Sequence, residues 1–133
     1  MKDEIQKFFK GDVDDTEETL VKYSRDASLL LIRPKIVLFP KDSKDVQNLV
    51  KWVGENKNKY QDEERNKDYA DLSITARCAG TDMSGGAIGE SIILDFSRYM
   101  NHLVKFMDDV PQRDNIDLEL KNGSITVQPG MFY

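Results

Sequence analysis

The spacing of apolar residues changes several times along this chain, and each change marks an element. Ile36 to Phe39 is a short run of β-favouring residues closed by Pro40. After it Val46, Leu49, Val50 and Val53 recur at i, i+3, i+4 and i+7, the stripe of an amphipathic helix. Asp42 or Ser43 can cap that helix, and Gly54 and Asn56 offer places for it to end. "LSITA" resumes a strand, so residues 36 to 76 predict a βαβ unit with parallel strands and a right-handed crossover. "SIILDF" predicts a third strand and "HLVKF" a fourth. Ile116, Leu118 and Leu120 then alternate with polar residues, the chain turns at Asn122-Gly123, and Ile125 and Val127 resume the alternation, a strong hairpin signal.

Ahead of this pattern, Ile5, Phe8 and Phe9 stand at helical spacing before Gly11. Asp15, followed by Glu18, predicts a second helix start, with Leu20 and Tyr23 or Ser24 near its end. Residues Tyr23 to Ser28 read first as a polar turn between two elements, with a part in a site as the alternative. Residues 57 to 71 are almost devoid of apolar side chains and read as an exposed loop or insertion. The expected fold is therefore α+β: N-terminal helices over residues 1–33, then a βαβ unit and an antiparallel hairpin over residues 34–133.

Composition narrows the function classes. A chain of 133 residues supports one hydrophobic core, not a cofactor domain together with a substrate domain. A formal charge of −5 argues against a nucleic-acid surface. The single cysteine, Cys78, and single histidine, His102, make neither an intramolecular disulfide nor a Cys/His zinc cluster. With no apolar leader and no membrane-spanning run, the cytoplasm is the expected compartment.

The candidate chemistry lies in "ARCAGTDMSGGAIGE", between the second and third predicted strands. A phosphate-loop NTPase would need a lysine after the glycines, and although Gly80 and Gly85 lie in this loop, none follows them. The dinucleotide fingerprint needs a helix after its glycines, whereas this loop enters a strand-like run. A loop whose consecutive N–H groups converge on an anion remains, with Thr81 and Ser84 adding hydroxyl donors. Asp82 is out of place beside a phosphate, so its side chain is expected to point away or to meet a cation such as Arg77. A glycine-rich strand connection without a ligand accounts for the same composition.

The order "RPKIVLFPKDSKDVQNLVKWV", "ARCAGTDMSGGAIGESIILDFSRYMN" and "SITVQPG" resembles the PCMH-type FAD-binding domain of the vanillyl-alcohol oxidase and p-cresol methylhydroxylase superfamily. It is most similar to the FAD-linked 2-hydroxy-acid oxidases and dehydrogenases of the glycolate oxidase and D-lactate dehydrogenase type. "GDVDDTEETLVKYSRDAS" also resembles the segment that precedes the domain in that branch. The resemblance implies that Cys78, Ala79, Gly80, Thr81 and Asp82, continued by Ser84, Gly85, Gly86 and Ala87, form the FAD pyrophosphate loop. It further implies that Pro40 lines the adenine-dinucleotide side, that Gly130 approaches the cofactor, and that Asp95, Ser97 and Asn101 shape the site.

The departures are specific. Cys78 and Ala79 replace glycines common in the family, and Thr81 stands where some relatives carry a histidine bonded covalently to flavin. His102 is expected at the surface and Cys78 as a small filler of the loop. The family's domain continues into a second α+β part and a substrate domain, so the resemblance implies an N-terminal portion of a larger flavoenzyme with no catalytic residue of its own. Its expected partners are FAD, a small 2-hydroxy acid in the full enzyme, and the C-terminal half or an iron–sulfur electron-transfer domain. Two other functions stay open: a non-catalytic nucleotide-binding or interaction module, and an α+β interaction module that binds no phosphate.

Overall fold

The computed structural model describes residues 1–59, 72–107 and 124–132. The elements in chain order are α1 (Lys2–Ile5), β1 (Asp12–Asp14), α2 (Glu17–Lys22), β2 (Ile36–Phe39), α3 (Ser43–Lys59), β3 (Ile74–Arg77), β4 (Ile92–Asp95), β5 (Leu103–Met107) and β6 (Ser124–Val127). The fold is mixed α+β. Four strands form one sheet in the order β1-β2-β4-β3, and β5 and β6 pair separately.

Burial explains the strand order. β2 and β4 occupy the centre, and all four residues of each are buried, which is why their sequences are nearly unbroken apolar runs. β3, with Thr75 and Arg77, takes an edge and is only partly buried. β2 and β3 are parallel to β4 but do not touch, because β4 fills the slot between them. The expected βαβ unit thus has its strands parallel, with a later strand inserted in its middle.

The pleat divides the core between two faces. Ile36, Leu38, Ile92 and Leu94 face α1 and α3, packing with Ile5, Phe9 and Leu49. Val37, Phe39 and Ile93 face the other way and pack with Leu20 and Tyr23. Phe8 and Trp52 are in ring contact at 6.1 Å between centroids, joining the first residues of the chain to α3.

Local chemistry sets the helix ends. Asp42 Oδ1 accepts the N–H groups of Lys44 at 2.8 Å and Asp45 at 3.0 Å, capping α3 as expected. α3 runs past Gly54 and Asn56 to Lys59 instead of stopping there, and the Asn56 amide donates back to Trp52 O at 2.7 Å. The start of α2 is organised by Asp14, not Asp15: Asp14 accepts Thr16 N at 2.9 Å and Thr19 Oγ1 at 2.7 Å. α1 is one turn, shorter than the spacing to Gly11 predicts, although Ile5 and Phe9 are buried.

Strand β1 has one apolar residue and gives almost no pattern; it pairs antiparallel with β2. Just before it, a Cβ on Gly11 would lie 1.9 Å from Phe39 O, so the close pass along β2 requires glycine. Fully buried Asp45 secures the same junction by accepting Lys10 N, Gly11 N and Lys41 N at 2.9, 3.0 and 3.0 Å.

β5, the expected fourth strand, pairs antiparallel with β6, Leu103 opposite Val127. Residues 60–71, and the predicted strand over Ile116 to Leu120 with its Asn122-Gly123 turn, lie outside the described residues.

Candidate functional site

The parallel register fixes where the site lies. Ile36 pairs with Ile92 and Arg77 with Asp95, so the carboxyl ends of β2, β3 and β4 share one edge of the sheet. Open α/β sheets bind ligands outside that edge. Pro40 leaves β2 there, the glycine-rich loop leaves β3 there, and Asp95 ends β4 there. Gly130 joins them: its N–H donates to Met100 O at 2.8 Å, and a Cβ on it would lie 2.1 Å from Phe96 O. Only glycine lets this turn press on the residues after β4.

The loop from Cys78 to Glu90 bends at two left-handed glycines, Gly80 (φ 68°) and Gly85 (φ 88°). Arg77 lies directly beneath it. Its guanidinium donates to Arg25 O at 2.8 Å and Ala87 O at 3.3 Å and sits 4.9 Å from the centre of the Tyr23 ring. A Cβ on Gly80 would meet Arg77 Nη2 at 2.3 Å. A positive charge is thus fixed against the backbone of the loop.

The loop's donors converge on one oxygen. Asp82 Oδ1 accepts Ser84 N at 2.7 Å, Ser84 Oγ at 2.8 Å and Gly86 N at 3.0 Å. The Gly86 N–H, then the Ser84 hydroxyl and N–H, hold the Asp82 carboxyl below its ordinary range. The expectation for Asp82 is therefore corrected: the carboxylate neither points away nor meets Arg77, but folds back onto the loop's own amides. Those amides are the strongest nearby partners for an exposed carboxylate, whereas the Arg77 guanidinium is committed to two carbonyls. Among the described residues, the N–H groups of Gly80, Thr81 and Met83 have no acceptor.

At the end of β4, buried Asp95 accepts Tyr23 Oη at 2.5 Å, Ser97 N at 2.7 Å and Ser97 Oγ at 2.6 Å. Burial, reinforced by this carboxylate, pushes the Tyr23 hydroxyl pKa far up, so Tyr23 stays a neutral donor. Asp95 and Ser97 act as the cap of the turn that follows β4, and the Asn101 amide closes that turn on Ser97 O at 2.8 Å.

The model of the FAD binding domain family matches residues 34–133. The chain belongs to this family. FAD is the family's cofactor, and the members it resembles are FAD-linked oxidoreductases. It is 28% identical over 100 residues to a D-2-hydroxyglutarate dehydrogenase of Escherichia coli, covering 75% of this chain and 9% of that protein. The D-lactate dehydrogenase [cytochrome] 1, mitochondrial, of Saccharomyces cerevisiae is 29% identical over 103 residues, 74% of this chain and 13% of the relative. A D-2-hydroxyglutarate dehydrogenase of Haemophilus influenzae aligns over 130 residues at 27%, 97% of this chain and 10% of the relative. The chain spans about a tenth of the length of these relatives.

An FAD-binding family needs a seat for a diphosphate, and the donor set of this loop fits one. Ser84 N, Ser84 Oγ and Gly86 N already converge on an anionic oxygen, that of Asp82, and the N–H groups of Gly80, Thr81 and Met83 have no acceptor among the described residues. Cys78 is partly buried in the loop as a free thiol. His102 is exposed and bonds through its backbone to Gln128, its N–H to Gln128 Oε1 at 3.0 Å. Two site features escape sequence reasoning. Arg77 works through carbonyls far away in sequence, and the residue types from Tyr23 to Ser28 do not show that residues 24–30 lie against the loop.

Proposed function

We propose that this chain holds the diphosphate of FAD in an oxidoreductase that oxidises a small 2-hydroxy acid such as lactate or glycolate. The observation that carries the reading is the convergence of loop donors on one anionic oxygen at the carboxyl edge of the sheet, within a chain of the FAD-binding family. The backbone from Cys78 to Asp82 and from Ser84 to Ala87 forms the diphosphate seat, with Pro40 and Gly130 bordering it. Residues 1–33 are a helical lead-in, and 34–133 are the first portion of a PCMH-type domain. The relatives, D-2-hydroxyglutarate and D-lactate dehydrogenases, support the substrate class.

FAD, when bound, supplies the two-electron acceptor for oxidation at the carbon bearing the hydroxyl. This chain's residues position the nucleotide end: Gly80 and Gly85 allow close approach, Arg77 fixes positive charge behind the loop, and Asp95 with Tyr23 anchors the sheet edge. The groups that bind the acid and take its proton lie outside this chain.

A second reading, a nucleotide-binding or interaction module without catalysis, draws on the β5–β6 ribbon, where Leu103, Val104 and Ile125 are each more than half exposed. Titrating the chain with FAD, followed by flavin fluorescence and thermal stability, tests the first reading. Saturable binding lost in Gly80→Val supports it. Binding unaffected by Gly80→Val, or none, contradicts it.

A further inference from the structure

We propose that residues 24–30, which precede the matched family domain, form a strap that sets the conformation of the glycine-rich loop and thereby its affinity for the FAD diphosphate. The inference rests on the FAD reading above. Arg77 Nη1 bridges Arg25 O at 2.8 Å and Ala87 O at 3.3 Å, so one guanidinium ties the strap to the far side of the loop. Ala27 N donates to Gly80 O at 3.1 Å, and Ala87 N donates to Asp26 Oδ2 at 3.4 Å. Leu30 covers the second bend: a Cβ on Gly85 would lie 2.7 Å from Leu30 Cδ1. The ties fall at Gly80, Gly85 and Ala87, which include both left-handed glycines.

The strap is itself braced. Ser28 N donates to Asp26 Oδ1 at 2.9 Å, Leu30 N to Ser28 Oγ at 3.1 Å, and Ile32 N to Ser24 O at 3.0 Å. Its start is anchored in the core, since Ser24 is buried and neighbouring Tyr23 bonds Asp95. A loop holding Gly80, Gly85 and Gly86 loses much conformational entropy when it orders around a ligand. A strap that orders it beforehand removes that cost from binding.

The test compares FAD affinity of the wild-type chain, the double variant D26A/L30A, and R33A. The double variant removes the side-chain ties to Ala87 and Gly85, while Arg33 is on the same lead-in but pairs with exposed Glu17. The expected result is affinity about tenfold weaker in D26A/L30A and unchanged in R33A. Amide exchange at Ala27 and Ile88, whose backbone acceptors Gly80 O and Gly85 O survive the substitutions, should accelerate in the double variant. Wild-type affinity in D26A/L30A overturns the proposal. If the wild-type chain binds no FAD, the FAD reading of this chain falls, and exchange decides the strap: unchanged rates at Ala27 and Ile88 overturn it, and faster rates uphold its hold on the loop.

Discussion

Replacing Gly80 with alanine probes the loop at its most constrained point. At φ 68° the new methyl group carries the left-handed penalty, about 1 kcal/mol. It would also lie 2.3 Å from Arg77 Nη2 and 2.6 Å from Arg77 Cζ. The guanidinium is the far end of a flexible side chain and can retreat, but doing so weakens its bonds to Arg25 O and Ala87 O. Losing those bonds costs about 1 kcal/mol more. The sum, about 2 kcal/mol, should lower the thermal midpoint by roughly 6–10 °C for a domain of this size. Gly54→Ala is the matched control: nothing lies within 4 Å of its Cβ, and alanine in an exposed helix should stabilise by about 0.5–1 kcal/mol. Differential scanning fluorimetry of both variants checks the pair. A Gly80→Ala midpoint within about 1 °C of wild type would refute the proposed lock between loop and guanidinium.

Other consequences follow from named contacts. Asp45→Ala should lower stability by about 3 kcal/mol in urea denaturation, because three backbone N–H groups at the Gly11 junction lose their acceptor. Tyr23→Phe should cost about 2 kcal/mol by the same assay, since buried Asp95 loses a donor; in the wild type, Tyr23 should show no ultraviolet phenolate signal through the ordinary tyrosine range. Asp82→Asn keeps an acceptor for Ser84 and Gly86 but removes a negative charge beside the diphosphate seat, so FAD should bind several-fold more tightly by fluorescence titration. The folded pKa of Asp82 is depressed, so its support of the loop is complete above the ordinary carboxylate range and is lost as pH falls below it. Amide exchange at Ser84 and Gly86, corrected for intrinsic rates, should therefore be flat near neutrality and accelerate only in acid.

Much of the frame was legible because burial leaves a simple mark on sequence. Ile36 to Phe39 and Ile92 to Leu94 read as strands since both faces of each are covered, and their alternation between two cores follows from the pleat. The glycine-rich loop was visible for a similar reason, as a backbone needing left-handed bends advertises glycine. Strand order was not visible: whether β4 adds outside β3 or slots between β2 and β3 depends on pairing between distant segments. β1 escaped because an acidic edge strand with one apolar residue has no periodicity. Asp82 was misjudged because residue type does not determine rotamer, and the amides two and four positions on outcompeted the committed Arg77.

Backbone amide chemical-shift mapping during an FAD titration reads out whether the loop from Cys78 to Ala87 seats the FAD diphosphate. Saturable shifts should concentrate at Gly80, Thr81, Met83, Ser84 and Gly86, be reproduced in part by ADP, and be absent with riboflavin, which has no phosphate. Saturable shifts confined to residues away from this loop, or equal shifts with riboflavin, would contradict it.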